Sequence, residues 1–438
     1  MAKSSKDIQL VELKDMISQL NTTIKMLNDT ISRQQAENDN LKAELAWFKQ
    51  KMFGSSSERR TDDIAGQLSL FGETIGEEKP VELIEPEIVV PALLAGSYVS
   101  PSLLAHIAYQ KFGLYIPLHR QEKDFLQLNA PISRASMAKW IIACGMEYLQ
   151  PIYNYFHREL LKRRFLMMDE TPTQVLKENG RRAETKSYFG VIRTGEDCLN
   201  PIILYNYTPT RAGENIKKFL KGIEPGFYFM TDGYQGYNKL KDAKRCCCWA
   251  HVRRYLLEAI PKGMEKDYSN PAVQGVLYCN KLFEYERTYR EKGLSYKQIE
   301  KRRLKDQKPV IEGFLSWIKQ VNPGSNSKLK KAITYISNYQ GYLTTYLEDG
   351  RCSLSNNLSE NAIRPVTVGR KNWLFSDTAD GAKANALYLT IVEMAKTYHL
   401  NLYEYLKFLF DNRPNKDMTD EEFEHLAPWN KRVQELCK

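Results

Sequence analysis

Between residues 10 and 52 the apolar side chains recur in alternating steps of four and three. Leu13, Ile17, Leu20, Ile24, Leu27, Ile31, Gln34, Asn38, Leu41, Leu45, Phe48 and Met52 mark the seam, and ten of these twelve are apolar. Held over this many heptads, the pattern predicts a coiled coil. Asn38 inside the seam favours a parallel dimer, because a buried amide wants a matching amide. A helix packed on its own body would carry the same period. Gly54-Ser55-Ser56-Ser57 ends the helix, and residues 57 to 95 read as an acidic, Pro-bearing linker with an extended segment near Ile84 to Val90.

Residues 100 to 150 break into three helical pieces. Ser100-Pro101 is an N-cap and first-turn pair for a helix to about Phe112, and Pro117 opens a second to about Leu128. Asn129-Ala130-Pro131 interrupts, and Ser133 caps a third helix with Ala135, Ala138, Trp140, Ile141 and Ile142. Two helices, a tight turn and a third helix make a helix-turn-helix candidate, with Arg134, Ser136 and Lys139 facing the groove. A small helical bundle without DNA contact fits the pattern equally.

From Phe165 the period shortens to that of strands. Runs at Phe165–Asp169, Ser187–Arg193, Pro201–Tyr207, Gly226–Thr231 and Arg245–Trp249 predict five strands, with a helix at about Ala212–Leu220 between the third and fourth. Three strands, helix, strand, short helix, strand is the order of a ribonuclease-H-like α/β core. From about His251 to Glu348 the pattern is helical, as in an insertion, and residues 382 to 410 predict one or two more helices ending near Asn412-Arg413-Pro414. The resulting division is a coiled-coil helix over 1–54, a linker over 55–98, a helix-turn-helix-like domain over 99–160, a first core part over 161–258, a helical insertion over 259–350, core completion over 351–412 and a tail over 413–438.

Composition narrows the function. Lys and Arg number 63 against 53 Asp and Glu, a net charge of +10, which favours an anionic partner and most simply nucleic acid. An ordinary basic soluble protein has the same balance. No run of about 18 apolar residues suggests a membrane span, and the charged N-terminus does not read as a signal sequence. The eight cysteines contain no C-x-x-C pair, which fits a reducing cytosol without a structural zinc site.

Three acids carry the candidate chemistry. Asp169 closes Phe165-Leu166-Met167-Met168-Asp169, Asp232 closes Gly226-Phe227-Tyr228-Phe229-Met230-Thr231-Asp232, and Glu360 lies in Asn356-Asn357-Leu358-Ser359-Glu360-Asn361. Two acids at strand ends and one on a later helix are able to meet at one sheet edge. Such a trio suits two Mg2+ or Mn2+ ions, which prefer oxygen ligands and serve the attacking and leaving oxygens of a phosphodiester. Each acid alone is as compatible with an N-cap or a surface position. Cys246-Cys247-Cys248 with His251 lacks a second ligand pair, so the cysteines read as small buried hydrophobes. His251, Arg253 and Arg254 are candidates for contact with scissile phosphate, or for a helix start. Arg364, Arg370 and Lys371 form a cationic group beside Glu360, and Trp373 is placed to stack on a base or to pack in the core. The charged run 300 to 305 reads as a solvated helix face, with contact to the DNA backbone as the alternative.

The strings Met168-Asp169-Glu170-Thr171-Pro172, Thr231-Asp232-Gly233-Tyr234-Gln235-Gly236-Tyr237, Cys248-Trp249-Ala250-His251-Val252-Arg253-Arg254, Asn356-Asn357-Leu358-Ser359-Glu360-Asn361-Ala362-Ile363-Arg364-Pro365 and Gly369-Arg370-Lys371-Asn372-Trp373-Leu374-Phe375 resemble bacterial transposases of the insertion sequence 66 family. The likeness runs in order from about Pro101 to Tyr405. It implies an Asp-Asp-Glu transposase in which Asp169, Asp232 and Glu360 hold the cations. Water cuts at the element's ends, and the freed 3′-hydroxyl attacks target DNA at the same site. It also implies double-stranded DNA as partner, accessory proteins from the same element and a cytoplasmic, nucleoid-associated location. Many relatives have a cysteine-rich zinc-binding segment before the helix-turn-helix, whereas residues 57 to 95 contain no Cys or His, so zinc is not expected. Two other readings compete: a non-catalytic dimeric DNA-binding regulator built from residues 10 to 150, and a metal-dependent nuclease that does not join strands.

Overall fold

The computed structural model describes residues 92–197 and 200–438. The heptad seam and most of the linker lie outside these residues. Val89–Asp124 and Ile132–Lys438 belong to one compact unit. Within it, α1 (Pro101–Ala108) runs into a π-helical turn to Gly113, and α2 (Leu118–Gln127) leaves the unit near its C-terminal end. Next come α3 (Arg134–Cys144) and α4 (Gln150–Leu161), joined by a second π-helical turn. The Ser100 hydroxyl accepts from Leu103 N–H at 3.1 Å and that of Ser133 from Ser136 N–H at 3.1 Å, so both serines cap their helices. The segment Phe125–Pro131, outside the unit, turns through Asn129 at φ 55°.

The sheet holds β1 (Phe165–Lys177), β2 (Lys186–Thr194), β3 (Ile203–Thr208), β4 (Phe227–Thr231) and β5 (Ala243–Cys247) in the order β3-β2-β1-β4-β5. The first three strands pair antiparallel, while β4 joins β1 and β5 joins β4 in parallel. A short β6 (Ser376–Thr378) pairs with the far end of β1. Between β3 and β4 lies α5 (Gly213–Phe219). All five residues of β4 are buried, as expected of a parallel strand covered on both faces.

Two strands depart from the sequence expectation. Instead of ending at Asp169, β1 continues to Lys177, because β2 pairs with it through Gln174↔Lys186. At the other edge β5 stops at Cys247, and Trp249 opens α6 (Trp249–Glu258). Its indole is fully buried and donates to Leu343 C=O at 2.9 Å, a hydrogen bond made from the helix.

The outer edge of β3 is covered by α13 (Ala379–Thr397). Tyr205 N–H donates to Thr390 Oγ1 at 2.9 Å, so a side-chain hydroxyl occupies a position open to another strand. Before it stand α11 (Asn357–Ala362) and α12 (Arg364–Trp373); after it come α14 (Leu402–Asn412), α15 (Asp420–Leu426) and α16 (Lys431–Leu436). Against β4 and β5 lies a helical block of α7 (Pro271–Glu291), α8 (Tyr296–Arg302), α9 (Lys308–Ile318) and α10 (Ser327–Thr344). Met230, Cys246, Trp249, Cys279, Phe314 and Ile336 share one buried cluster, so this block is continuous with the core of the sheet.

One buried ion pair ties the block to the chain leading to Glu360. Arg303, between α8 and α9, departs from the solvated face expected of the run 300 to 305: it is 2% exposed and donates bidentately to Glu286 at 2.8 Å through Nε and Nη2. Its remaining donors reach the carbonyls of Tyr346, Asp349 and Cys352 at 2.9, 3.0 and 2.8 Å. Glu286→Gln leaves that guanidinium buried without its counter-charge. We expect a loss of about 3–5 kcal/mol in urea unfolding; a midpoint equal to the parent's contradicts this role.

Candidate active site

Parallel pairing of β1 with β4 runs through Phe165↔Tyr228, Leu166↔Phe229 and Met167↔Met230. Two residues further along each chain are Asp169 and Asp232. β1 continues against β2 while β4 turns away, so both acids stand where the sheet opens. The turn after β4 is tightly held. Asp232 Oδ1 accepts from Tyr234 N–H at 2.9 Å. Buried Arg245 of β5 donates to Asp232 C=O at 2.6 Å, Tyr234 C=O at 2.9 Å and Thr231 Oγ1 at 3.0 Å. Among the described residues no carboxylate pairs with Arg245; neutral acceptors and the rings of Tyr237, Tyr339 and Tyr342 surround it. The Tyr339 hydroxyl donates to Gly233 C=O. A Cβ on Gly233 would come within 2.6 Å of the Tyr335 ring, so only glycine allows this approach.

Glu360 arrives on α11, whose start is fixed by fully buried Asn356. Asn356 Nδ2 donates to Met168 C=O at 2.8 Å, and Asn356 N–H donates to Cys248 Sγ at 3.1 Å. One amide thus ties β1, one residue before Asp169, to the end of β5. Glu360 follows one turn later. Its Oε2 accepts from Arg254 Nη2 at 3.0 Å, and its Oε1 lies 3.7 Å from His251 Nε2.

The three acids share one electrostatic environment. Burial, with added repulsion from Asp232 and Glu360, pushes the Asp169 carboxyl up to about 7 from an ordinary 3.8. Burial lowers His251, partly opposed by attraction to Glu360. Glu360 Oε1 and His251 Nδ1 are buried without a hydrogen-bond partner among the described residues. Cys248 Sγ, a His251 ring nitrogen and a Glu360 oxygen lie within 4.8 Å of one another. Burial pushes the Cys248 thiol up to about 11, however, and its sulfur already accepts from Asn356, so it is a poor ligand in this state.

The remaining sequence candidates scatter. Arg254 reaches Glu360, whereas Arg253 is tied to Asn280 of α7 at 2.7 Å. Arg370 donates to Thr171 Oγ1 at 3.3 Å and to Pro172 C=O, anchoring α12 to β1. Arg364 and Lys371 are exposed on the same helix. Trp373 lies under Lys111 Nζ, 3.9 Å from the ring centre, and edge-on to Phe112 at 6.2 Å, so its ring is engaged inside the protein. Arg134, Ser136 and Lys139 sit on α3, and none of their hydrogen bonds or ion pairs among the described residues reaches the acids.

Sequence reasoning missed Glu170, Arg211, Arg245 and the structural part of Asn356. Glu170 and Asn356 lie inside strings that were singled out. Arg211 and Arg245 are single residues in a chain with 63 basic side chains, and nothing in their local pattern marks them.

The family model described as "Transposase IS66 family" matches residues 96–384, and the one described as "Transposase C of IS166 homeodomain" matches residues 40–93. Three similar proteins come from Sinorhizobium fredii (strain NBRC 101917 / NGR234). Uncharacterized protein y4qI is 27% identical over 78% of the chain and 65% of its own length. Uncharacterized protein y4hP is 26% identical over 67% and 56%, and uncharacterized protein y4jD 22% over 78% and 68%. The chain thus spans between just over half and about two thirds of these relatives. With more than half of its residues matched by the first model, and with the five strings in order within the fold, the chain belongs to the IS66 transposase family.

Proposed function

We propose that this chain is an Asp-Asp-Glu transposase on a ribonuclease-H-like core, cutting the ends of its element and joining them to target DNA. The observation that carries the reading is the gathering of Asp169, Asp232 and Glu360, from β1, the end of β4 and α11, into one electrostatic cluster. The sheet order, with three antiparallel strands followed by two parallel ones, supports the core assignment.

The donor set fits Mg2+ or Mn2+. Three carboxylates supply the hard oxygen ligands these cations prefer, and Glu360 Oε1 is a buried acceptor that receives no hydrogen bond among the described residues. Two such cations, when bound, activate an oxygen nucleophile and stabilise the leaving oxygen. The protein's own groups do the rest. Arg254 and His251 orient Glu360, Asn356 fixes the height of its helix against β1, and Arg245 locks the Asp232 turn. Exposed Arg364 and Lys371 neutralise DNA phosphates. Away from the acids, Arg134, Ser136 and Lys139 on α3 contact DNA as part of a helix-turn-helix-like domain. The N-terminal heptads pair two chains, and accessory proteins of the same element assist.

Asp169→Ala, Asp232→Ala and Glu360→Ala each lower Mg2+- or Mn2+-dependent end cutting by about three orders of magnitude while the fold is kept. The assay is gel analysis of labelled element ends with a target plasmid. Wild-type cutting in all three variants rejects the site, and cutting without joined products marks a nuclease.

Asp169 gives a pH signature. Its folded-state value lies above the unfolded one, so the metal-free fold loses stability as pH rises from about 4 to 7 and stays at that lower level beyond. Asp169→Asn removes this loss and raises the melting temperature more at about pH 8 than at about pH 5. Cation binding must displace the proton, so Mn2+ affinity of the parent chain falls up to about tenfold per unit below pH 7. An affinity flat between about pH 8 and pH 6 in isothermal titration contradicts the assignment of Asp169 as a ligand.

A further inference from the structure

Asp232 is met by an arginine that the sequence strings do not contain. Arg211 lies in the loop between β3 and α5. Its Nε donates to Glu170 Oε1, and its Nη2 stands 3.3 Å from Asp232 Oδ2. The guanidinium carbon lies 3.8 Å from the Tyr234 ring centre, and the Tyr234 hydroxyl donates back to Arg211 C=O at 2.9 Å. Backbone and head group are therefore both fixed by the turn that carries Asp232.

The two carboxylates that Arg211 touches differ. Glu170 follows Asp169 on β1, so strand alternation sends it to the opposite face of the sheet. There it lines a cleft with Met168, Gly190 and Ile192, and its side chain is 9% exposed. Glu170 is thus a buried charge already balanced by a close guanidinium partner. Asp232 is 33% exposed, and its contact with Arg211 is longer than the usual 2.7–2.9 Å of charge-assisted hydrogen bonds. Arg211 is anchored at Glu170 and only leans on Asp232.

The Asp232 oxygen that Arg211 meets would be contested by a divalent cation, which would also repel the nearby guanidinium, while the Glu170 anchor would remain. The Arg211 side chain is 32% exposed, so its Nη groups would then be open to the next anion to enter the site. In a phosphodiester-processing site that anion is a DNA phosphate, for which the forked guanidinium is well shaped.

We propose that Arg211 is a substrate-positioning residue, anchored by Glu170, that covers Asp232 before the cations arrive and passes to a DNA phosphate oxygen once they are bound. Glu170, on this account, is the anchor of an arginine and not a cation ligand. The inference rests on the reading of Asp232 as a cation ligand given above.

The test uses the full chain, freed of metal, with Mn2+ binding read by electron paramagnetic resonance and binding of a blunt-ended DNA duplex read in Ca2+. Arg211→Ala removes a positive charge beside Asp232, so Mn2+ binds roughly three- to tenfold more tightly without DNA. In Ca2+ the same variant binds duplex more weakly, and its log affinity against log salt becomes shallower by about 1. Glu170→Gln frees the anchor, weakening DNA binding in the same way without tightening Mn2+. Unchanged or weaker Mn2+ binding in Arg211→Ala, or a wild-type DNA affinity and salt slope, overturns the proposal. Should Arg211→Ala lose its circular-dichroism signal, Arg211→Lys carries the test. A point charge keeps Mn2+ affinity near the parent's and weakens DNA binding through loss of the fork, and full DNA affinity there overturns the proposal. Asp232→Ala separates the two levels. If it binds Mn2+ as tightly as the parent, the reading of Asp232 fails; if it loses Mn2+ while Arg211→Ala changes nothing, only the role of Arg211 fails.

Discussion

The three-residue parallel register between β1 and β4 positions everything at the candidate site. It sets two strands side by side and lets one of them turn away while the other continues. A strand end inside a sheet leaves backbone groups unpaired, and buried groups of this kind must find other partners. Here Asn356 supplies one through its bond to Met168 C=O, and Arg245 satisfies two carbonyls of the turn after β4. The residues that complete the interrupted ladder are those that hold Glu360's helix and Asp232's turn in place. Closing the sheet and building the site are one structural problem.

Gathering carboxylates at a buried edge is costly unless positive charge accompanies them. The chain meets this with arginines from separate elements. Arg211 serves Glu170 and Asp232, and Arg254 serves Glu360. Asp169 has no such partner among the described residues, and burial pushes its carboxyl up.

The helical block from α7 to α10 does more than fill a gap in the chain. Its core is continuous with that of the sheet, and Tyr335 and Tyr339 of α10 press on the Gly233 turn. Arg303 ties it to carbonyls just before Asn356, so both chain segments flanking the acids depend on its packing. The block stands between β5 and Glu360 in sequence but against the Asp232 turn in space.

Much was legible before folding was considered. Strand-period runs located the start of all five main strands, and the end of every one but β1, to within a few residues, since apolar runs bounded by Gly, Pro and charge have few alternatives. The serine caps at Ser100 and Ser133 were readable because capping is local chemistry. The acids stood out only because their neighbours formed recognisable strings. What the chain order could not convey was partnership over distance. Continuation of β1 past Asp169 requires β2, and the buried Trp249 indole finds its acceptor in the carbonyl of Leu343, ninety-four residues later. Trp373, open on paper to a nucleobase, is instead engaged by Lys111 and Phe112. Arg211 and Arg245 carry no local signature, because a guanidinium is defined by what it meets, and these meetings exist only after five strands have taken their order. Periodicity and capping are properties of neighbours along the chain; charge balance at a sheet edge belongs to neighbours in space.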